Sequence, residues 1–317
     1  MSNKQKRILE FSKKMTNSGV LESPTIKHIS ERLNLSPKQT AIKIKEMYDS
    51  GFGKISVALN YNKLPLTMAE IAIKSSNPAH HDYIFDFLKN TKYVEDIVKV
   101  SSQEITFVVS VKVPSLESLN EVNLEIMNGL SDKYAKIVTM IITNYIYDEE
   151  TLFETKTNTV ELDKMDWKII SLLKINAMMT LREMSEKTGL REPTIHRRIK
   201  LLKDKGIILG YICSRNWENI PHKLASMCSL LFVRLTLGRA IEKEFIKNIL
   251  ESKNAKLSFA FLYLGAWDVM MGVKTEDIVA LDMFIDEEVS KKEYILDVKV
   301  CPILEAEVRD VFADFAE

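Results

Sequence analysis

Between Arg191 and Lys205 six cationic side chains (Arg191, Arg197, Arg198, Lys200, Lys203 and Lys205) stand against Glu192 and Asp204 alone, a local net charge of +4 (6 − 2). The whole chain balances 44 Lys+Arg against 44 Asp+Glu, so the cations form a patch and not a general field. Clustered cations suit phosphate, and arginine can also hold a guanine edge through two hydrogen bonds. How the patch is presented decides its chemistry. Pro193 opens a helix that Gly206 closes, and at about 100° per residue Ile199 and Leu202 fall within about 40° of Ile195. With that side in the core, His196, Arg197 and Lys200 point away, Arg198 lies on the flank, and Arg191 and Thr194 stand at the start. These six are the candidate DNA-contacting residues. The competing reading is a solvated charged face on an ordinary helix.

Other constellations are weaker. Gly265 lets a ligand approach the backbone and Asp268, three residues on, is placed to meet an ammonium group, although a plain hairpin turn with an exposed acid explains the same residues. His80 and His81 are adjacent, which on a helix turns their rings apart and argues against a metal. His28 and His222 are isolated. Cys213, Cys228 and Cys301 have no zinc spacing and read as reduced thiols. No Gly-rich phosphate loop, nucleophilic triad or paired carboxylate is present, so no catalytic residue, cofactor or metal is assigned. Met178-Met179 and Met270-Met271 read as packing.

A repeat supplies the elements that position the patch. Ile29-Ser30-Glu31-Arg32-Leu33-Asn34-Leu35 lies over Met184-Ser185-Glu186-Lys187-Thr188-Gly189-Leu190 at an offset of 155 (184 − 29), and Asp49-Ser50-Gly51 lies over Asp204-Lys205-Gly206 at the same offset. In the second copy Asp163 caps a first helix through Trp167, Ile170 and Leu173. Thr180 caps a short second helix that Gly189 stops, and the third runs from Pro193. The run Ile207 to Ile212 then reads as a strand, completing a winged helix-turn-helix. Beyond it, strands at 226–237, 256–264, 267–273 and 294–300 alternate with helices at 241–251 and 277–289, a βαββαβ or ferredoxin-like order. The first copy repeats this at 67–74, 80–90, 94–100, 105–113, 115–128 and 136–147. The fold class is α+β, with divisions expected at 1–62 (winged helix), 63–150 (ferredoxin-like), 151–213 (winged helix) and 214–317 (ferredoxin-like). Asp148 to Thr159, acidic and Thr-rich, reads as a linker.

The segment Gly189-Leu190-Arg191-Glu192-Pro193-Thr194-Ile195-His196-Arg197-Arg198-Ile199-Lys200 and onward to Tyr211 resembles the recognition-helix region of the Lrp/AsnC family. Leu162-Asp163-Lys164-Met165-Asp166 and Leu264-Gly265-Ala266-Trp267-Asp268-Val269 are similar to that family's first-helix entry and effector-domain turn. The resemblance implies a transcription regulator that binds double-stranded DNA, dimerises through its sheet (RAM-type) domains and senses amino acids or related metabolites, with Gly265 and Asp268 at the effector pocket. This chain would be two such subunits fused. The first copy matches in layout more than in motif: Ser102-Gln103-Glu104-Ile105-Thr106 replaces the Gly…Asp turn.

The first copy's third helix, Ser36 to Ser50, carries Lys38, Lys43 and Lys45 against Glu46 and Asp49, a net +1 (3 − 2), and Ile42 stands where the second has Arg197. An apolar residue gains nothing from phosphate, so the first winged helix is expected to be a weak or lost reader used for packing or assembly. One active reader per chain then calls for at least a homodimer on a two-fold site.

With 317 residues, 46% hydrophobic and 28% charged, the chain is neither disordered nor fibrous. Its longest apolar stretch, Leu224 to Val233, falls short of the roughly 20 residues needed to span a bilayer. Lys4, Lys6 and Arg7 are followed by no apolar segment, so a cytoplasmic protein is expected. An enzyme alternative exists, since siroheme decarboxylases reuse this architecture in fused pairs and need His and Arg in the sheet domain. Here 94–100 and 256–264 contain neither. A metabolite-binding scaffold without DNA is the third reading, and it needs Arg197 and Arg198 tied up in salt bridges.

Overall fold

The computed structural model describes residues 3–146, 160–215, 227–236, 239–252 and 255–316. The expected linker at 148–159 and His222 lie outside the described residues. In chain order the elements are α1 (Asn3–Asn17), α2 (Ile26–Leu33), α3 (Pro37–Asp49), β1 (Gly53–Leu59), β2 (Thr67–Ser75), α4 (His81–Asn90), β3 (Val94–Val100), β4 (Phe107–Val113), α5 (Leu116–Leu130), β5 (Tyr134–Ile146), α6 (Lys164–Ile175), α7 (Leu181–Thr188), α8 (Glu192–Asp204), β6 (Ile208–Arg215), β7 (Met227–Leu235), α9 (Arg239–Leu250), β8 (Lys256–Leu264), β9 (Val269–Thr275), α10 (Ile278–Phe284) and β10 (Ile295–Val308). The series is a winged helix and a βαββαβ sheet domain, twice. They gather into two compact units, one of Met1–Pro65, Thr159–Lys223 and Asp310–Glu317, the other of Leu66–Asn158 and Leu224–Arg309.

The first unit holds both winged helices, and local sequence explains each boundary. Ser36 and Gln39 form a capping box at the start of α3, as Asp163 and Asp166 do for α6 and Thr180 and Glu183 for α7. Each box satisfies two backbone N–H groups that a helix start otherwise leaves open. α2 ends on Asn34 in the left-handed region and α7 on Gly189, both common helix stops. The two wing strands pair with each other across the copies, antiparallel from Gly53↔Arg215 to Leu59↔Ile208. Further bonds join the copies: Tyr48 Oη donates to Asn176 Oδ1 at 3.0 Å, Ser56 Oγ to the Lys174 carbonyl at 2.9 Å, and Ala177 N–H to the Ile55 carbonyl at 2.9 Å. Leu21 adds a bridge to Tyr211. At the neighbouring Gly210 a Cβ would sit 2.6 Å from the Leu21 carbonyl oxygen and 2.5 Å from a Val20 methyl. Gly210→Ala is therefore expected to cost about 1–3 kcal/mol in urea unfolding, and an unchanged midpoint would mean that the Leu21 bridge yields freely.

The second unit is a closed barrel in the order β10-β3-β4-β2-β5-β8-β9-β7. Each copy contributes four antiparallel strands, β3-β4-β2-β5 and β8-β9-β7-β10. The seams are β5 on β8 and β10 on β3. Closure removes exposed strand edges. Alternation places Ala69, Ile71, Ile73, Val109 and Val111 under α4 and α5, where Ile84, Leu88, Val122 and Ile126 complete one core. Leu231, Val233, Met271 and Val273 meet Phe245, Ile249, Leu281 and Phe284 in its counterpart. Each such side chain contributes about 1.5–3 kcal/mol on burial. The remaining strand positions, Glu70 among them, take the opposite face.

Two expected bounds shift. The helix anticipated at 277–289 is α-helical only through Phe284 and continues as a π-helical turn, Ile285–Ser290. The last strand runs to Val308 because it has two partners in turn, β7 along Ile295–Pro302 and β3 along Ile303–Val308. Among the described residues no helix is long and apolar enough to cross a membrane.

Candidate nucleic-acid interface

α8 is held by one narrow side. Ile195 and Leu202 are buried, at 0% and 2% exposure, with Ile199 half-buried between them. The opposite side carries His196, Arg197 and Lys200, all exposed as the helical geometry predicts. Arg191 is the exposed N-cap, and its carbonyl accepts from the N–H of half-buried Thr194 at 2.9 Å. Arg197, Lys200, Leu201 and Asp204 line an open groove together with Arg198. Among the described residues no ion pair engages Arg191, Arg197 or Lys200.

Arg198 departs from the expectation. Its Nη1 donates to both carboxylate oxygens of Asp163, at 3.0 and 2.8 Å, and to Asp166 Oδ1 at 2.7 Å. The side chain is 26% exposed and, from the wall of the groove, reaches back to the start of α6. It is thus an internal tie, not a free cation. The hydrogen bond to Asp166 raises the Arg198 pKa further despite some desolvation. For Asp163, desolvation pushes upward, but the backbone N–H of Asp166 and the Arg198 guanidinium outweigh it and hold its carboxyl below the ordinary range. Lys203 is also engaged, over the Tyr211 ring at 4.8 Å and donating to the Glu22 carbonyl at 3.4 Å.

The corresponding helix of the first copy differs. Lys45 pairs with Asp49 at 2.9 Å, Glu46 with Lys4 at 3.6 Å, and Lys43 lies over the Phe11 ring at 5.6 Å. Ile42 is turned outward, 51% exposed. Most of the cations on α3 are therefore matched within the chain, whereas those on the outer face of α8 are not.

The turn at Gly265 is closely packed. A Cβ on Gly265 would lie 3.1–3.4 Å from Met140, so this glycine permits close packing on β5. Asp268 Oδ2 accepts from the Leu235 N–H at 2.7 Å, and its backbone bonds to Val233 and Tyr263. Arg234 donates to the Ala266 carbonyl at 2.8 and 3.2 Å and lies 5.3 Å from the Trp267 ring. Asp268 thus fastens a turn through its carboxylate oxygen. The Asp163–Asp166–Arg198 triad and the Arg234 brace were not anticipated. For the triad, a signal was present in the Asp-x-x-Asp spacing at the start of a helix facing a recognition-helix arginine. Among the described residues no group of three His, Cys, Asp or Glu could hold a metal ion.

Three helices and a wing presenting a cationic third helix define a DNA-binding winged helix-turn-helix. Residues 162–203 match the AsnC-type helix-turn-helix domain. The HTH-type transcriptional regulator FL11 of Pyrococcus abyssi is 30% identical over 127 residues, covering 40% of this chain and 80% of that protein. The HTH-type transcriptional regulator Ptr1 of Methanocaldococcus jannaschii is 28% identical over 132 residues, 40% of this chain and 82% of that protein. The crystal structure of the siroheme decarboxylase NirDL superposes with a TM-score of 0.63 at 12% identity, covering 99% of this chain and 97% of that one, a likeness of fold alone. The chain belongs to the Lrp/AsnC family of helix-turn-helix transcriptional regulators. Its function is DNA-binding transcription regulation.

Proposed function

We propose that the second winged helix is the DNA reader of this regulator, with α8 in the major groove, Arg197 and Lys200 toward bases and phosphates, and Arg191, Thr194 and His196 at the groove edge. The observation that carries this reading is the pairing of buried Ile195 and Leu202 with exposed, unmatched Arg197 and Lys200 on the opposite side of one helix. The first winged helix is a brace: its wing strand pairs with that of the second, and its third helix has most of its cations matched. One reader per chain makes the working species a homodimer at least, acting in the cytoplasm. The protein is not an enzyme in this reading, since β3 and β8 offer no His or Arg to a polyanionic tetrapyrrole. An amino-acid-like effector near Gly265 and Asp268 rests on family membership alone.

The test is fluorescence anisotropy with a duplex from the protein's own promoter. Arg197→Ala is expected to cost about 1–3 kcal/mol of affinity, whereas reversing the charges of Lys38, Lys43 and Lys45 leaves it nearly unchanged. Equal losses from both sets would overturn the asymmetry, and a shifted Soret band on adding siroheme would favour the enzyme.

A further inference from the structure

A narrow apolar strip does not by itself fix the roll of a helix. Ile195 and Leu202 lie within about 20° of each other around α8, with half-buried Ile199 about 40° to one side, so the apolar contact is a narrow strip that resists roll only weakly. Arg198 sits about 60° from Ile195 on the other side of that strip, and it is the residue that reaches across to α6. Its two acceptors are themselves hydrogen-bonded. Asp163 Oδ1 accepts from the Asp166 N–H at 2.9 Å, and Asp166 Oδ2 accepts from the Asp163 N–H at 3.3 Å. The capping box that starts α6 is therefore also the socket for the guanidinium. Arg197 projects about 100° around from Arg198, so whatever sets the direction of one sets that of the other.

We propose that Arg198 is a positioning residue for DNA reading: its ion pairs with Asp163 and Asp166 fix the roll of α8, and so the aim of Arg197 and Lys200, without contact to DNA. The inference rests on α8 being the reader. Surface ion pairs contribute little to stability, but one guanidinium nitrogen shared between two capped carboxylates restricts geometry, which is what specific readout requires. Loss of the tie lets the helix roll. Contacts to particular bases then suffer while the general attraction to phosphate persists.

The experiment uses the full chain and two probes, a duplex selected from a random pool by the parent protein and a shuffled duplex of equal length. Arg198→Met is expected to lower affinity for the selected duplex about 5–20-fold and to leave the shuffled one within about twofold. The slope of log K against log salt stays unchanged, because no phosphate contact is removed. Asp166→Asn supplies the sharper discrimination. Removing an acid beside a DNA surface ordinarily tightens binding, whereas here it is expected to weaken binding to the selected duplex, with the double variant no worse than either single one. Circular dichroism and a thermal melt confirm that each variant is folded at the assay temperature. A salt slope reduced by about one charge in Arg198→Met, or tighter binding by Asp166→Asn, would overturn the positioning role. If instead Arg197→Ala has no effect on the selected duplex, the reader assignment itself fails.

Discussion

Glu70→Gln makes the barrel unit more resistant to denaturant at pH 9, and the gain vanishes by pH 5. Glu70 lies on β2, whose alternate residues Ala69, Ile71 and Ile73 pack under the helices. It therefore takes the opposite face, is 1% exposed, and is flanked by Ser110 on β4 and Met140 on β5. Ser110 Oγ donates to its Oε1 at 2.7 Å, whereas Oε2 has no hydrogen-bond partner. Desolvation lifts its pKa from 4.5 to about 8, and the charge of Asp96 adds to this. The Ser110 bond and Lys112 act the other way, but Lys112 is itself ion-paired with buried Glu95. Tyr263, fully buried and without a partner for its hydroxyl, is raised by desolvation and by Glu70.

An acid whose folded pKa lies above its unfolded value binds more protons when folded, so stability falls as pH rises between the two. The window here runs from 4.5 to about 8. At about 1.4 kcal/mol per pKa unit the loss across it is on the order of 5 kcal/mol. Glutamine keeps the bond from Ser110 and never ionises. Urea titrations from pH 5 to pH 9 should show the parent's stability declining across the window and the variant's curve flatter. Parallel curves would show that Glu70 ionises at no cost.

Phe312→Ala is expected to destabilise the winged-helix unit by about 3–5 kcal/mol, a drop in melting temperature on the order of 10 °C. Phe312 is fully buried and stacks on Trp167 at 5.8 Å, and Phe315 stacks on the same indole at 5.0 Å. Lys174 Nζ lies 5.6 Å from the Phe312 ring and donates to Tyr61 Oη at 2.8 Å. Asp310 starts the segment by accepting from the Phe312 N–H at 3.1 Å and from Ser171 Oγ at 2.6 Å. α6 thus has the C-terminal aromatics on one side and the socket for Arg198 at its start. Calorimetry reads the effect directly, and a loss below about 1 kcal/mol would mean that the segment adds little to this unit.

Much of this was legible in the residues because local rules suffice. The offset repeat, the caps Asp163 and Thr180, the stops Gly189 and Gly206, and the outward turn of Arg197, Lys200 and Ile42 all follow from helical spacing within one element. What escaped were pairings between residues far apart in the chain. Arg198 looked like any flank cation because its partners lie 32 and 35 positions earlier. Asp268 looked free because its acceptor role is taken up by Leu235, on a different strand. The pairing of β1 with β6 and the docking of Phe312 on Trp167 each span about half of the chain, and neither leaves a periodic trace.

The central claim is that α8, and not α3, meets the duplex. A photo-reactive benzophenone side chain placed in turn at position 200 and at position 42 tests it with promoter DNA under irradiation. Cross-links to DNA from position 200 and none above background from position 42 are the expected result. Cross-links from position 42 alone, or equally from both, would contradict it.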